Sequence, residues 1–175
     1  MAPLRVRRGA PTDVDHVVDA NLAMAWETEG LRLDPLTLRR GVTRALSGVE
    51  DCFYLIAERP HAPGAPAEVA GQLMLTREWS DWRDAWVWWI QSVYVWPAAR
   101  RAGVYRALYA EALDLGAAAG VAALRLYVDQ RNHSAAATYA ALGMDGGHYQ
   151  VFEQLLPAPG APPVIPMPAH KPDNG

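Results

Sequence analysis

Arg100-Arg101-Ala102-Gly103-Val104-Tyr105 is the segment whose residue types promise the most chemistry. It follows a β-prone run from Trp86 to Val95, halted at Pro97, and precedes an alanine-rich stretch ending near Gly120. That order puts a short basic loop between a strand and a helix start. The first peptide N–H groups of a helix lack carbonyl partners, and the helix dipole adds partial positive charge, so a pyrophosphate is well seated there. Gly103 permits a close backbone approach or an unusual dihedral. Arg100 and Arg101 can add charge-assisted contacts. A plain strand-to-helix turn with solvated arginines uses the same residue types, and other anion binders share the same physics. The segment has neither Gly-x-x-x-x-Gly-Lys-Ser/Thr nor Gly-x-Gly-x-x-Gly, so neither a mononucleotide P-loop nor a nicotinamide cofactor is supported.

A second constellation lies downstream. Leu124-Arg125-Leu126-Tyr127-Val128 reads as a strand, and Asn132, Ala135, Ala136, Tyr139, Leu142, Gly143 and Met144 follow it. Asn132 and Tyr139 are seven residues apart, about two helical turns, which allows both to face one cleft. Alone, each has an ordinary explanation, a helix cap and a packed aromatic. Taken with Val95-Trp96-Pro97 and the basic loop, they resemble the GNAT superfamily of acyl-CoA-dependent N-acetyltransferases. Motif A of that family reads Arg/Gln-x-x-Gly-x-Gly/Ala after a strand ending in Val-x-Pro; here the last slot is Tyr105. Motif B has an Asn at a strand-to-helix turn, a Tyr one helix later, then Gly-Phe/Met. The resemblance covers residues 4 to 155 and is sharp from 86 to 144.

The resemblance implies a mixed α/β fold: a central, mostly antiparallel sheet of six to seven strands with about four helices on both faces. It implies acetyl transfer from acetyl-CoA to a primary amine of a small molecule or peptide, by direct attack in a ternary complex, with no metal. The strand before Pro97 should splay from its neighbour, often at a β-bulge. Free backbone groups at Val93, Tyr94 and Val95 would pair with the pantetheine arm, and an N–H there would support the thioester oxygen as it gains charge. Arg100 and the amides of Arg101, Ala102, Gly103, Val104 and Tyr105 would hold the pyrophosphate. Asn132 would bond the pantetheine arm, and Tyr139 would protonate the departing thiolate, for which a phenol pKa near ~10 is adequate.

The proton acceptor is less legible. Many relatives place a Glu on the strand before motif A, where this chain has Gln91. An amide cannot act as a base but can orient a water that passes the proton on. Glu27, Glu29, Glu78, Asp81 and Asp84 are the alternatives, read as lying in loops that flank the acceptor site; His16, His133 and His148 have no positional support. Five of the seven tryptophans fall between Trp79 and Trp89. Packing explains most of them. The sharper reading is an acceptor pocket walled by Trp26, Trp79 and Trp82, with Glu29 and neighbouring carboxylates suiting a basic amine.

The elements that must position these groups follow from periodicity. Leu4–Arg8 alternates as a strand. Thr12-Asp13-Val14-Asp15 opens a helix predicted to run to Trp26, and Asp34-Pro35 opens the next. Cys52–Glu58 and Glu68–Thr76 form strands joined by a proline-rich loop from Arg59 to Ala67. On the strand from Trp86, Trp88 and Ile90 share one face with Trp86, and Trp89, Gln91 and Val93 share the other. A helix from Gly103 to Gly120, a strand from Ala123 to Val128, a short helix capped by Asn132 or Ser134, and a last strand from Tyr149 to Leu155 complete the order.

Composition bounds the rest. The 175 residues are read as one domain, 1–156, followed by a tail, 157–175, that holds seven of the fourteen prolines. A net charge of -3 gives no reason to expect nucleic acid. The single Cys52 excludes an internal disulfide and reads as a buried, inert thiol. No run approaches the ~20 apolar residues of a membrane span, so a cytoplasmic protein is expected, with a homodimer as a weak family expectation. Three further readings stay open: a CoA-binding sensor with little turnover, a longer acyl donor, and an interaction protein that uses its proline-rich tail.

Overall fold

In β2 (Cys52–Arg59), six consecutive residues, Cys52 to Ala57, are buried. A strand hidden on both faces needs cover on both, and the helices provide it. A computed structural model of the protein describes residues 4–59, 67–130, 132–147, 149–154 and 156. Two compact units follow one another, the first through Tyr127 and the second from Val128.

The first unit carries one five-stranded sheet in the order β1-β2-β3-β4-β5. β1 (Arg5–Arg8), β2, β3 (Glu68–Ser80) and β4 (Ala85–Val95) pair antiparallel, and β5 (Ala123–Leu126) joins β4 in parallel. α1 (Val14–Glu29) and α2 (Pro35–Ser47) pack with Cys52, Tyr54, Ile56 and Met74 on one face. α3 (Val104–Ala118) lies on the other, where Gly116 touches Trp88 and Trp88 meets Phe53 edge-on at 5.2 Å. The class expected from sequence is therefore present. Among the described residues there are five strands rather than six or seven. Residues 149–154, read as a last strand, have no regular structure, and Tyr149 and Phe152 are almost fully exposed. Leu155, most of the proline-rich loop and the whole tail lie outside the described residues.

Two boundaries and one strand alternation differ for identifiable reasons. α1 runs one turn past Trp26, because the chain first reaches a left-handed stop at Gly30 (φ 66°). β3 continues to Ser80, so the connection to β4 shrinks to a tight turn, Asp81 to Asp84, and Glu78 and Trp79 are strand residues rather than loop residues. Strand β4 also breaks its own alternation. Leu75 pairs with Ile90 and Met74 with Ser92, leaving Gln91 as an extra residue. This β-bulge puts Val93, opposite Leu73, on the face of Ile90, not on that of Trp89 as strict alternation predicts.

The entry to α1 is fixed by an ion cluster. Asp13, 3% exposed, accepts two bonds from Arg7 (2.7 and 2.7 Å) and one from the Ala10 N–H (2.8 Å). Arg7 also bonds Glu58 at 2.6 Å. Replacing Asp13 by Ala leaves Arg7 its bond to Glu58 but removes two charge-assisted bonds and the one from the Ala10 N–H, and should cost about 2 kcal/mol in urea unfolding at neutral pH. The bonds from Arg7 hold the Asp13 carboxyl below its ordinary range. Its contribution is therefore complete above the unfolded carboxylate pKa near ~3.9 and lost as pH falls through the lower folded value. Asp13→Ala should flatten the acid limb of stability against pH.

Candidate active site

β4 and β5 part company in the middle of β4. Their parallel register runs from Val87 opposite Ala123 to Ile90 opposite Leu126 and stops there. Tyr127 onward is irregular, while β4 continues five residues past Ile90 to Val95. The bulge at Gln91 sits at the point of divergence. Beyond it, the Trp96 N–H bonds the Ala70 carbonyl on β3 at 3.1 Å. Antiparallel residues alternate the side to which their N–H and C=O point. Val93 and Val95 therefore turn theirs away from β3, toward the opening. Tyr94, between them, turns its own toward β3 and offers a ligand no main-chain group on the open side.

A turn of 3-10 helix (Pro97–Ala99) and a tight loop lead from that strand end to the start of α3. The loop contains two left-handed residues, Arg101 (φ 61°) and Gly103 (φ 78°). No side chain caps the helix at Gly103, so its first N–H groups point outward. Arg101 has a Cβ and pays conformational strain of about 1–2 kcal/mol to hold this shape. Tyr105, in the slot where the motif has Gly or Ala, stacks its ring on Tyr109 one turn along, 6.0 Å between centroids. The ring thus lies along the helix. Gly71 on β3 lets α3 settle: a Cβ there would stand 2.8 Å from the Tyr94 carbonyl oxygen and 3.0 Å from a Val104 methyl.

Arg100 is committed inside the protein. Its Nη2 bonds Glu27 at 2.5 Å, its Nε bonds the Val95 carbonyl at 3.1 Å, and its guanidinium lies 5.7 Å from the Tyr94 ring centre. The Tyr94 hydroxyl donates to the other Glu27 oxygen at 2.7 Å. Glu27 thereby ties the end of α1 to the end of β4. The hydrogen bonds from Tyr94 and Arg100 lower the Glu27 pKa, which makes it a poor base. Burial, followed by the bond to Glu27, raises that of Tyr94.

Other carboxylates from the sequence reading are placed as follows. Glu78 accepts from the Trp89 indole (2.7 Å) and pairs with Arg125 (3.1 Å). Asp81 accepts the Trp82 N–H, and Asp84 occupies the turn with φ 47°. Glu29 is the exposed last residue of α1. Gln91 is exposed at the bulge, near the pair formed by Trp89 and Tyr127, whose centroids are 6.2 Å apart. Among the described residues, no group of three His, Cys, Asp or Glu side chains is arranged to hold a metal, and no helix is long and apolar enough to cross a membrane.

The tryptophans expected to form one pocket do not come together. Trp79 packs edge-on against Trp86 at 5.2 Å beside the β3–β4 turn, and Trp82 on that turn is 92% exposed. Trp26 precedes Glu27, which reaches Tyr94 at the far end of β4. Eight residues of strand separate Trp86 from Tyr94, roughly 25 Å at ~3.3 Å per residue. Trp26 instead lines a groove of roughly 270 Å³ with Leu22, Leu31, Arg32 and Leu33. Arg32 carried no signal in the sequence, because nothing in its spacing marks it.

In the second unit, α4 (His133–Ala141) begins where Asn132 accepts the Ala135 N–H through Oδ1 at 3.0 Å. Asn132, not Ser134, is the cap. Its amide NH₂ can still donate to a ligand. Tyr139 lies in the last turns of the helix, half-buried, and burial raises its pKa. His148 lies outside the described residues.

A bulged strand diverging from a parallel neighbour, followed by an uncapped helix start, suits a long, flexible ligand ending in a pyrophosphate. The sequence profile described as the acetyltransferase (GNAT) family matches residues 22–144. The chain belongs to this family. A possible acetyltransferase from Clostridium difficile 630 has a similar crystal structure, at 32% identity and a TM-score of 0.78, with 89% of this chain and 99% of that one covered. A transcriptional regulator from Bacillus halodurans C-125 shares the fold at 19% identity (TM-score 0.71, 87% and 100% covered). So does an aminoglycoside N-acetyltransferase crystallised with CoA, at 16% identity (TM-score 0.69, 89% and 96% covered). No curated protein matches the chain. The GNAT fold supports acyl-CoA use, and the residues present fit it. The outward backbone groups of Val93 and Val95 and the uncapped start of α3 are the groups an extended amide chain and its phosphates would use.

Proposed function

We propose that this GNAT protein transfers an acetyl group from acetyl-CoA to the primary amine of a small molecule or peptide. The observation that carries the reading is the divergence of β4 and β5 at the Gln91 bulge, leading straight to the uncapped start of α3. Acetyl-CoA supplies an acyl group already activated as a thioester. Val93 and Val95 would hold the pantetheine amides through their outward backbone groups, and the Val93 N–H would support the thioester oxygen as charge grows on it. The amides from Arg101 to Tyr105 hold the pyrophosphate. The Val95 carbonyl must exchange its bond to Arg100 for one to the pantetheine.

The amine nitrogen bonds the acetyl carbon while the C–S bond breaks, and the amine loses one proton as the sulfur gains one. Tyr139 gives its hydroxyl proton to the sulfur, and its raised pKa keeps that proton in place at neutral pH. Gln91 orients a water that takes the amine proton, a role supported by its exposure at the bulge and by the engagement of Glu27 and Glu78 elsewhere. Thiol release from acetyl-CoA, followed over a panel of amines with the product identified by mass, tests this reading. Acetylated product should accumulate one-for-one with free CoA. Tight calorimetric binding of CoA with no transfer to any amine would favour the sensor reading instead.

A further inference from the structure

We propose that the acceptor is a small amine carrying a carboxylate beside an apolar body, with Arg32 recognising the carboxylate; this rests on the transferase reading above. The groove that Trp26 lines is apolar on four of its five walls: Leu22, Trp26, Leu31 and Leu33. The fifth is a guanidinium. The left-handed Gly30 ends α1, and the Leu31 N–H turns back to the Ala25 carbonyl at 3.1 Å. That fold-back sets Arg32 over the Trp26 ring, 5.3 Å from its centre. A guanidinium held over an aromatic face can still direct N–H donors at a planar anion, and carboxylate is the matching shape.

The carboxylates that would favour a cation are engaged or do not line the groove. Glu27 is held by Tyr94 and Arg100, and Asp34 caps α2 by accepting the Thr37 N–H at 2.8 Å. Glu29 ends α1 without lining the groove, which leaves Arg32 as its one charged wall. This reverses the preference for a basic amine expected from sequence. At roughly 270 Å³ the groove is just below the ~300–1,000 Å³ of sites for drug-sized ligands. An amino-acid-sized acceptor fits that volume. Trp26 on the groove wall directly precedes Glu27, whose carboxylate bonds Tyr94 on β4, so groove and bond lie at the same end of α1.

The test compares leucine, leucine methyl ester and spermidine as acceptors with acetyl-CoA. Leucine should show a kcat/KM about 10–100-fold above its ester, the range of a charge-assisted bond gained or lost, although the ester has the more readily deprotonated amine. Arg32→Ala should erase that gap through the KM for leucine, with calorimetric CoA affinity unchanged, and Arg32→Lys should restore part of it. Preference for the ester or for spermidine overturns the proposal. So does a leucine KM indifferent to Arg32→Ala, or no transfer to leucine by protein that binds acetyl-CoA. Failure to bind acetyl-CoA at all would instead overturn the transferase reading.

Discussion

Tyr139→Phe should lower kcat by roughly 10²–10⁴-fold while leaving the affinity for CoA nearly unchanged, because it removes the hydroxyl that carries the proton and keeps the ring. The phenol must be protonated to act as the acid. Burial raises its pKa above the ordinary value for tyrosine, so the wild-type rate should be lost only on a strongly basic limb, beyond ~10. Removing the hydroxyl should remove that limb as well as the rate. Steady-state kinetics across pH, with calorimetry at neutral pH, checks both halves. An unchanged kcat would take Tyr139 out of the mechanism.

Gly71→Ala should damage the donor site from the opposite side of β4. The added methyl meets the Tyr94 carbonyl oxygen at 2.8 Å, Val104 at 3.0 Å and the Val95 Cα at 3.3 Å. Two of those three atoms are main chain and have no rotamer with which to yield. Either β4 moves toward the opening or the first turn of α3 lifts away from the sheet. Overpacking of this kind costs about 1–3 kcal/mol of stability, and here it displaces the backbone groups that should hold pantetheine and pyrophosphate. We expect a fall in Tm together with at least a tenfold weaker Kd for CoA, about 1.4 kcal/mol. Gly103→Ala makes an instructive contrast, since nothing lies within 4 Å of its added methyl. Only its positive φ resists substitution, at about 1 kcal/mol.

What the sequence made legible was the part in which residue type dictates backbone geometry. Pro97 ends a strand, Gly103 takes a positive φ, Asn132 caps a helix, and Asp34-Pro35 starts another. Each is a local effect, readable over a few residues. The bulge was expected from family resemblance, but its position at Gln91 depends on how β3 and β4 settle against each other, which no local pattern encodes. One extra residue there moved Val93 to the opposite face. The aromatic pocket failed for a related reason. Trp26 and the pair Trp79 and Trp82 are all exposed aromatics in a tryptophan-rich chain, yet the length of β4 keeps them apart. Arg32 was silent because its interest comes from the Trp26 ring beneath it, a contact made only by the fold-back after Gly30.

The electrostatics were least legible. Glu27 looked like one of several solvated acids. In the fold it accepts from Tyr94 and Arg100 at once and joins α1 to the end of β4. Arg100 looked like a phosphate ligand, and its side chain is held by Glu27 and the Val95 carbonyl. Ion pairs between elements far apart in the chain are set by tertiary packing, so neither partner announces the other.

A crystal structure of the protein with CoA tests the central claim most directly. It should show the pyrophosphate within hydrogen-bond distance of backbone amides between Arg101 and Tyr105, the pantetheine along Val93 and Val95, and the sulfur within reach of the Tyr139 hydroxyl. Phosphates bound elsewhere, or the opening beside β4 closed by side chains with CoA present, would contradict it.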